Sequence, residues 1–157
     1  MLVDLVRDKL RILTVLAVLT WMGFILFLSS RSSLPVDSPP VRWLGDYQDE
    51  VGHLVEYAVL GLLTYVSLSF SMARRQAVLI GLVLCVVFSL GDEAFQGLIP
   101  NRTPEIKDIL LDAVGATGAV TAAALLMPRL RRKFIRPGTL NDREESPHRP
   151  TSSGPGK

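Results

Sequence analysis

GDEAFQGLIPNRTPEIKDILLDAVG, residues 91–115, is the stretch whose reading decides the fold. It carries Asp92, Glu93, Gln96, Arg102, Asp108 and Asp112 around a turn marked by Pro100 and Pro104, and apolar sequence flanks it on both sides. Upstream, Ala77 to Leu90 is free of charge but shorter than the ~20 residues a helix needs to cross a bilayer. Downstream, Ala113 to Met127 is short in the same way. Each helix reaches spanning length only by taking its acids into the membrane's outer third or by stopping within it. Acids at that depth need a partner, a watery cavity or a function.

Working outward, three further segments complete a four-helix pattern. Leu10 to Ser29 holds one charge, Arg11, and is long enough to span. Its apolar run exceeds a signal-peptide core and no A-x-A site follows it, so it reads as an uncleaved helix. A polar loop with Pro35, Pro39 and Pro40 follows, with Trp43 and Tyr47 as interfacial aromatics. A second helix is expected over about 51–72, with His53 and Glu56 in its first two turns. Ala73, Arg74 and Arg75 form a basic turn. The remaining helices are expected over about 76–98 and 105–127. Residues 1–136 thus form one membrane domain, and the Pro/Ser/Gly/Arg-rich residues 137–157 a disordered cytoplasmic tail.

Composition agrees with this division. Apolar residues make up 48% of the 157, yet charged residues still reach 20%, which fits charge gathered into blocks between apolar runs. The basic pI of about 8.9 does not point to nucleic acid, because the basic residues flank hydrophobic spans instead of interleaving with aromatics. Cys85 is the lone cysteine, set in an apolar run, so there is no disulfide framework and no thiolate metal site. It reads as a small lipid-buried hydrophobe. Ten Lys/Arg flank one set of helix ends and four flank the other. The fold expected is an all-α membrane protein, a bundle of four transmembrane helices with N and C termini cytoplasmic. Ala119 and Ala123, with Gly115 and Gly118 above them, mark the fourth helix as packing closely on a neighbour. Trp21 and Met22 read as lipid-facing or packing residues.

This topology brings the ionisable ends of three helices to one side. His53 and Glu56 share a face, as do Asp92, Glu93 and Gln96, and as do Asp108 and Asp112. Arg102, in the connecting loop, reaches both of the last two stripes, where Asp92 or Asp108 could pair with it. The candidate ligand-binding set is His53, Glu56, Asp92, Glu93, Gln96, Arg102, Asp108 and Asp112, in an outward-facing pocket walled by Phe95 and Tyr57. So many acids cannot all be ionised cheaply in a desolvated site. A carboxylic acid beside a carboxylate suits acid–base chemistry, and His53 with two or three acids suits an oxygen-rich divalent-cation site. No metal is assigned, since the further His and Cys ligands of a structural zinc site are absent, and no cofactor can be named.

At these residues the chain resembles the VanZ-like family of small bacterial membrane proteins, whose founder is linked to teicoplanin resistance. The resemblance rests on Phe27-Leu28-Ser29-Ser30, on His53-x-x-Glu56-Tyr57-x-x-Leu60-Gly61, on Asp92-Glu93-x-x-Gln96 followed by Pro100-x-Arg102, and on Asp108 to Gly115. Glu50 stands where the family commonly has Lys, and Asp112 where it commonly has Asn; both raise the negative charge. The resemblance implies a multi-pass protein of the bacterial inner membrane with a role at the cell envelope. Three functional readings stay open. The first is binding of a peptidoglycan precursor, lipid head group or glycopeptide, with Arg102 anchoring an anionic group. The second is a membrane enzyme using Glu93 and His53, metal-assisted or not. The third is a structural partner whose polar cluster fixes helix packing. Beyond the lipid bilayer, and with nucleic acid excluded, the sequence names no partner and no oligomeric state.

Overall fold

Whether four apolar runs become a bundle depends on how their small and polar residues face one another. The computed structural model describes residues 2–31, 47–100 and 102–135, with side chains described for 5–31, 47–100 and 102–127. Four helices run in order: α1 Leu2–Ser29, α2 Gln48–Ser69, α3 Arg74–Gln96 and α4 Ile106–Ile135. There is no strand among the described residues. Each helix contains a segment long and apolar enough to cross a membrane. α3 does so by continuing through Asp92, Glu93 and Gln96 without a break.

Three helices start earlier than expected; α3 takes Arg74 and Arg75, expected in the turn, into its first turn behind Ala73. α1 begins at Leu2, not near 10, because the mixed charges of Arg7, Asp8 and Lys9 end the apolar run without ending the hydrogen-bonded helix. α2 begins at Gln48, with Asp49 and Glu50 in its first turn, where acids suit the positive end of the helix dipole. At its far end α4 carries on past Met127 to Ile135. The Pro-rich loop with Trp43 and the tail at 137–157 lie outside the described residues. Tyr47 lies within them and is exposed.

α2 is the central element and touches all three others, most extensively α4, whereas among the described residues α1 meets α2 and α3 but not α4. The α2–α4 seam is a backbone approach. A Cβ on Gly115 would collide with the Leu54 carbonyl, and one on Gly61 would stand 2.9 Å from the Ala116 carbonyl oxygen. Small residues allow this proximity, which lipid alone would not drive. Ala116, Val120 and Ala123 continue the buried face. Gly118, expected in the same stripe, looks into open space instead.

Two apolar clusters fill the interior. Ile25, Tyr57, Leu60, Cys85 and Ala116 form one, with Trp21, Met22 and Phe88 packed against it. Tyr65, Ala77, Val120, Ala123 and Ala124 form the other, towards the Arg74–Arg75 end. Cys85 is therefore buried in protein and not in lipid, and Trp21 and Met22 are packing residues. Around these cores Leu13, Leu19, Val83, Val87, Val114 and Leu126 stay exposed. Such a surface has its natural solvent in hydrocarbon.

Candidate functional site

Antiparallel packing puts the end of α1, the start of α2, the end of α3 and the start of α4 together. All eight residues singled out from the sequence lie at this one end. Four are buried polar groups belonging to that set on α3 and α4: Asp92, Glu93, Gln96 and Asp112, each 4% exposed or less.

Two hydrogen-bonded groups divide the site. In the first, Asp112 is the hub. Ser89 Oγ donates to its Oδ2 at 2.6 Å, and His53 Nδ1 lies 3.0 Å from its Oδ1. A carboxylate can only accept, so Nδ1 carries the hydrogen and donates. Nε2 then faces Asp108 Oδ2, 3.8 Å away. Three helices are joined through one side chain. In the second group, Asp92 Oδ2 accepts from Ser29 Oγ at 3.0 Å and from Gln96 Nε2 at 3.4 Å. Gln96 in turn accepts from Arg102 Nη1 at 3.5 Å.

Glu93 stands between the groups. Its Oε2 accepts from the backbone N–H of Glu105 at 2.9 Å, so α3 holds the entry to α4. Its Oε1 is buried without a partner among the described residues, as is Asp92 Oδ1. Unpaired buried carboxylate oxygens are costly, so they call for an explanation. Glu56 is half-buried, and its backbone carbonyl accepts from the Trp21 indole N–H at 2.9 Å.

Arg102 departs from expectation. Among the described residues it meets neither Asp92 nor Asp108. Instead Nε and Nη2 donate to the Arg31 carbonyl at 3.2 and 3.0 Å, closing the α3–α4 loop onto the end of α1. A short loop with Pro100 and Pro104 aims the guanidinium across the bundle and away from the acids of its own hairpin. The rim also carries an ion pair between Lys107 and Glu50.

Two clefts open at this end and share Asp49, Gln96 and Arg102. One is bounded by Leu28, Ser29, Gly52, His53 and Glu56. The other, about 370 Å³, is bounded by Glu50, Thr103, Glu105, Lys107 and Asp108. Asp92, Glu93 and Asp112 border neither and stand behind them. Tyr57 and Phe95, expected as walls, border neither cleft: Tyr57 is fully buried in the apolar core, its ring 6.1 Å from that of Phe88, and Phe95 is half-buried.

The chemistry of the cluster is limited in one direction. Ser89 donates to Asp112, with His53 on the opposite oxygen of the same carboxylate. A nucleophilic triad needs the imidazole on the hydroxyl, so this is not one. In another direction it is permissive: ligand atoms of His53, Glu93 and Asp108 lie within 4.8 Å of one another.

Sequence reasoning missed Ser29 and Ser89 as members of the site. Ser89 precedes Asp92 by three and Gln96 by seven, so the helical period that grouped those two also contains it. Ser29 was visible only as part of the Ser-Ser end of α1.

The VanZ/LLP1 family model matches residues 14–127 of the chain, well over half of it. No curated protein and no solved structure matches.

Proposed function

Because the chain belongs to the VanZ/LLP1 family and gathers its ionisable side chains at one end of four membrane-capable helices, we propose that it binds a polar cell-envelope ligand there. In this reading the protein is a multi-pass component of the bacterial plasma membrane, both termini cytoplasmic and the polar end outward, an orientation that the Lys/Arg distribution supports. One observation carries the reading: Arg102 and Gln96 stand between two open clefts, backed by buried carboxylate oxygens of Asp92 and Glu93 that have no partner among the described residues. A fold held for packing alone would have paired those atoms. Arg102 receives an anionic group, and the acids that border the clefts, Glu56 and Asp108, accept from amines or hydroxyls.

The ligand classes with both features at the outer membrane surface are a peptidoglycan precursor, a lipid head group and a glycopeptide. The protein in nanodiscs, titrated calorimetrically with each, should bind one saturably, and Arg102→Ala should abolish that binding. Unchanged affinity in the variant would sink the assignment. If the bound class is a glycopeptide, removing the gene should also lower resistance to it.

A packing role is the second reading. It is favoured by Asp112, whose two oxygens are both used inside the protein.

A further inference from the structure

We propose that His53, Glu93 and Asp108 form a binding site for one transition-metal dication of the zinc–manganese class. The inference goes beyond ligand binding at the same end of the bundle and does not depend on it.

The donors come from three helices, α2, α3 and α4, and converge within 4.8 Å of one another. Around a bound ion neighbouring ligand atoms stand ~3.4 Å apart, from ordinary metal–ligand bond lengths. Loading would therefore draw the ligand atoms together by no more than about 1.4 Å per pair.

Three features besides proximity point to an ion. The first is the histidine's orientation. Its Nδ1 donates to Asp112 Oδ1 at 3.0 Å, so that in the neutral imidazole the lone pair is on Nε2, the nitrogen that faces Asp108. Metal-binding histidines are commonly held in this way by a carboxylate on the far nitrogen. Ser89 fixes that carboxylate in turn, at 2.6 Å. The second is Glu93, only 4% exposed, whose Oε1 has no partner among the described residues while Oε2 is anchored by the Glu105 N–H. An anchored carboxylate with one buried oxygen to spare is a ligand in waiting. The third is access: Asp108 lines the cleft of about 370 Å³, so water or a ligand oxygen can fill the remaining coordination positions.

The donor set selects the metal. One imidazole nitrogen with two carboxylates suits zinc, manganese, iron(II) or cobalt. Calcium and magnesium prefer oxygen alone. The positive charge would also relieve repulsion among Asp92, Glu93, Asp108 and Asp112.

The test uses the full-length protein in detergent, stripped with EDTA and dialysed separately against Zn²⁺, Mn²⁺, Mg²⁺ and Ca²⁺. About one equivalent of Zn²⁺ or Mn²⁺ should be retained, with little Mg²⁺ or Ca²⁺. Co²⁺ should give visible d–d absorption that added Zn²⁺ bleaches. Glu93→Gln and His53→Ala should each weaken binding at least about tenfold, and Asp112→Asn by about ten- to a hundredfold through the histidine. Arg102→Ala should leave metal affinity unchanged, which separates failure here from failure of the envelope-ligand reading. Retention below about 0.2 equivalents of Zn²⁺, Mn²⁺ and Co²⁺ by the wild type overturns the site, as does wild-type affinity in Glu93→Gln. If His53→Ala does not fold, Asp108→Asn decides in its place: tenfold weaker Zn²⁺ binding supports the site, and unchanged binding overturns it.

Discussion

The two ends of the α2–α4 pair are built on opposite terms. Towards Arg74 and Arg75, Tyr65, Ala77, Val120, Ala123 and Ala124 close on one another as apolar groups. At the other end the same helices meet across His53 and Asp112, with Ser89 of α3 completing the link. All the buried side-chain atoms without a partner among the described residues, on Glu50, Tyr57, Asp92 and Glu93, fall in the polar half. The contrast teaches where stability and function are divided. The apolar half and the glycine seam hold the bundle, and that security lets the other half keep charges that folding alone would discard.

Substitutions can break or sharpen this contrast. The largest effect should come from the seam between the halves. Gly115→Leu sets a side chain against the Leu54 backbone carbonyl, which cannot give way without parting α2 from α4, and should cost at least about 3 kcal/mol. Unfolding in mixed micelles followed by circular dichroism would measure it. Gly118→Leu, facing open space, should stay within about 0.5 kcal/mol of wild type. Equal losses would mean that the seam is not where the helices meet.

Next comes Asp112→Ala, which strands both the imidazole of His53 and the hydroxyl of Ser89. A loss of about 3 kcal/mol is expected for a buried polar link broken on one side. Loss of under half that would demote Asp112 from hub to bystander. The smallest effect has the opposite sign. Glu93→Gln keeps an oxygen for the Glu105 N–H and replaces the unpaired, charged oxygen with an uncharged amide amid the acids, so metal-free protein should gain about 1 kcal/mol. If Glu93→Gln instead melts several degrees lower, the polar half is a packing network and the contrast collapses.

Much of this was legible beforehand. The number of helices followed from run lengths, and the placement of the acids followed from α3 being too short to span without Asp92 and Glu93. What could not be read was rotation about each helix axis. In a soluble helix an apolar stripe reveals the inward face, but here the outward face is apolar too, as Val83 and Val87 show. A serine in such a helix carries no hydropathy signal, so neither Ser89 nor Ser29 was placed in the site. Arg102 reaches the α3 stripe at Gln96 but pairs with neither Asp92 nor Asp108 among the described residues, for a related reason. Sequence distance put it beside its own hairpin's acids, whereas the loop's path sends it to the Arg31 carbonyl of α1. The start of α1 was misread because hydropathy locates a span, not the hydrogen bonds that extend it.

The order of partners along the chain has a bearing on how the protein is made. Asp92 takes the shorter of its two hydrogen bonds from Ser29, the longer coming from Gln96 of its own helix, and Asp112 takes its two from His53 and Ser89. In each case a residue synthesised earlier, on a preceding helix, supplies a donor to an acid that emerges later. An acid leaving the ribosome and entering the membrane thus finds a docking place already there, instead of waiting in lipid for one still to be translated. Glu93 breaks the pattern, since its one donor, the Glu105 N–H, follows it. It is also an acid left with an oxygen to spare, and it alone must wait for α4 before any of its bonds can form.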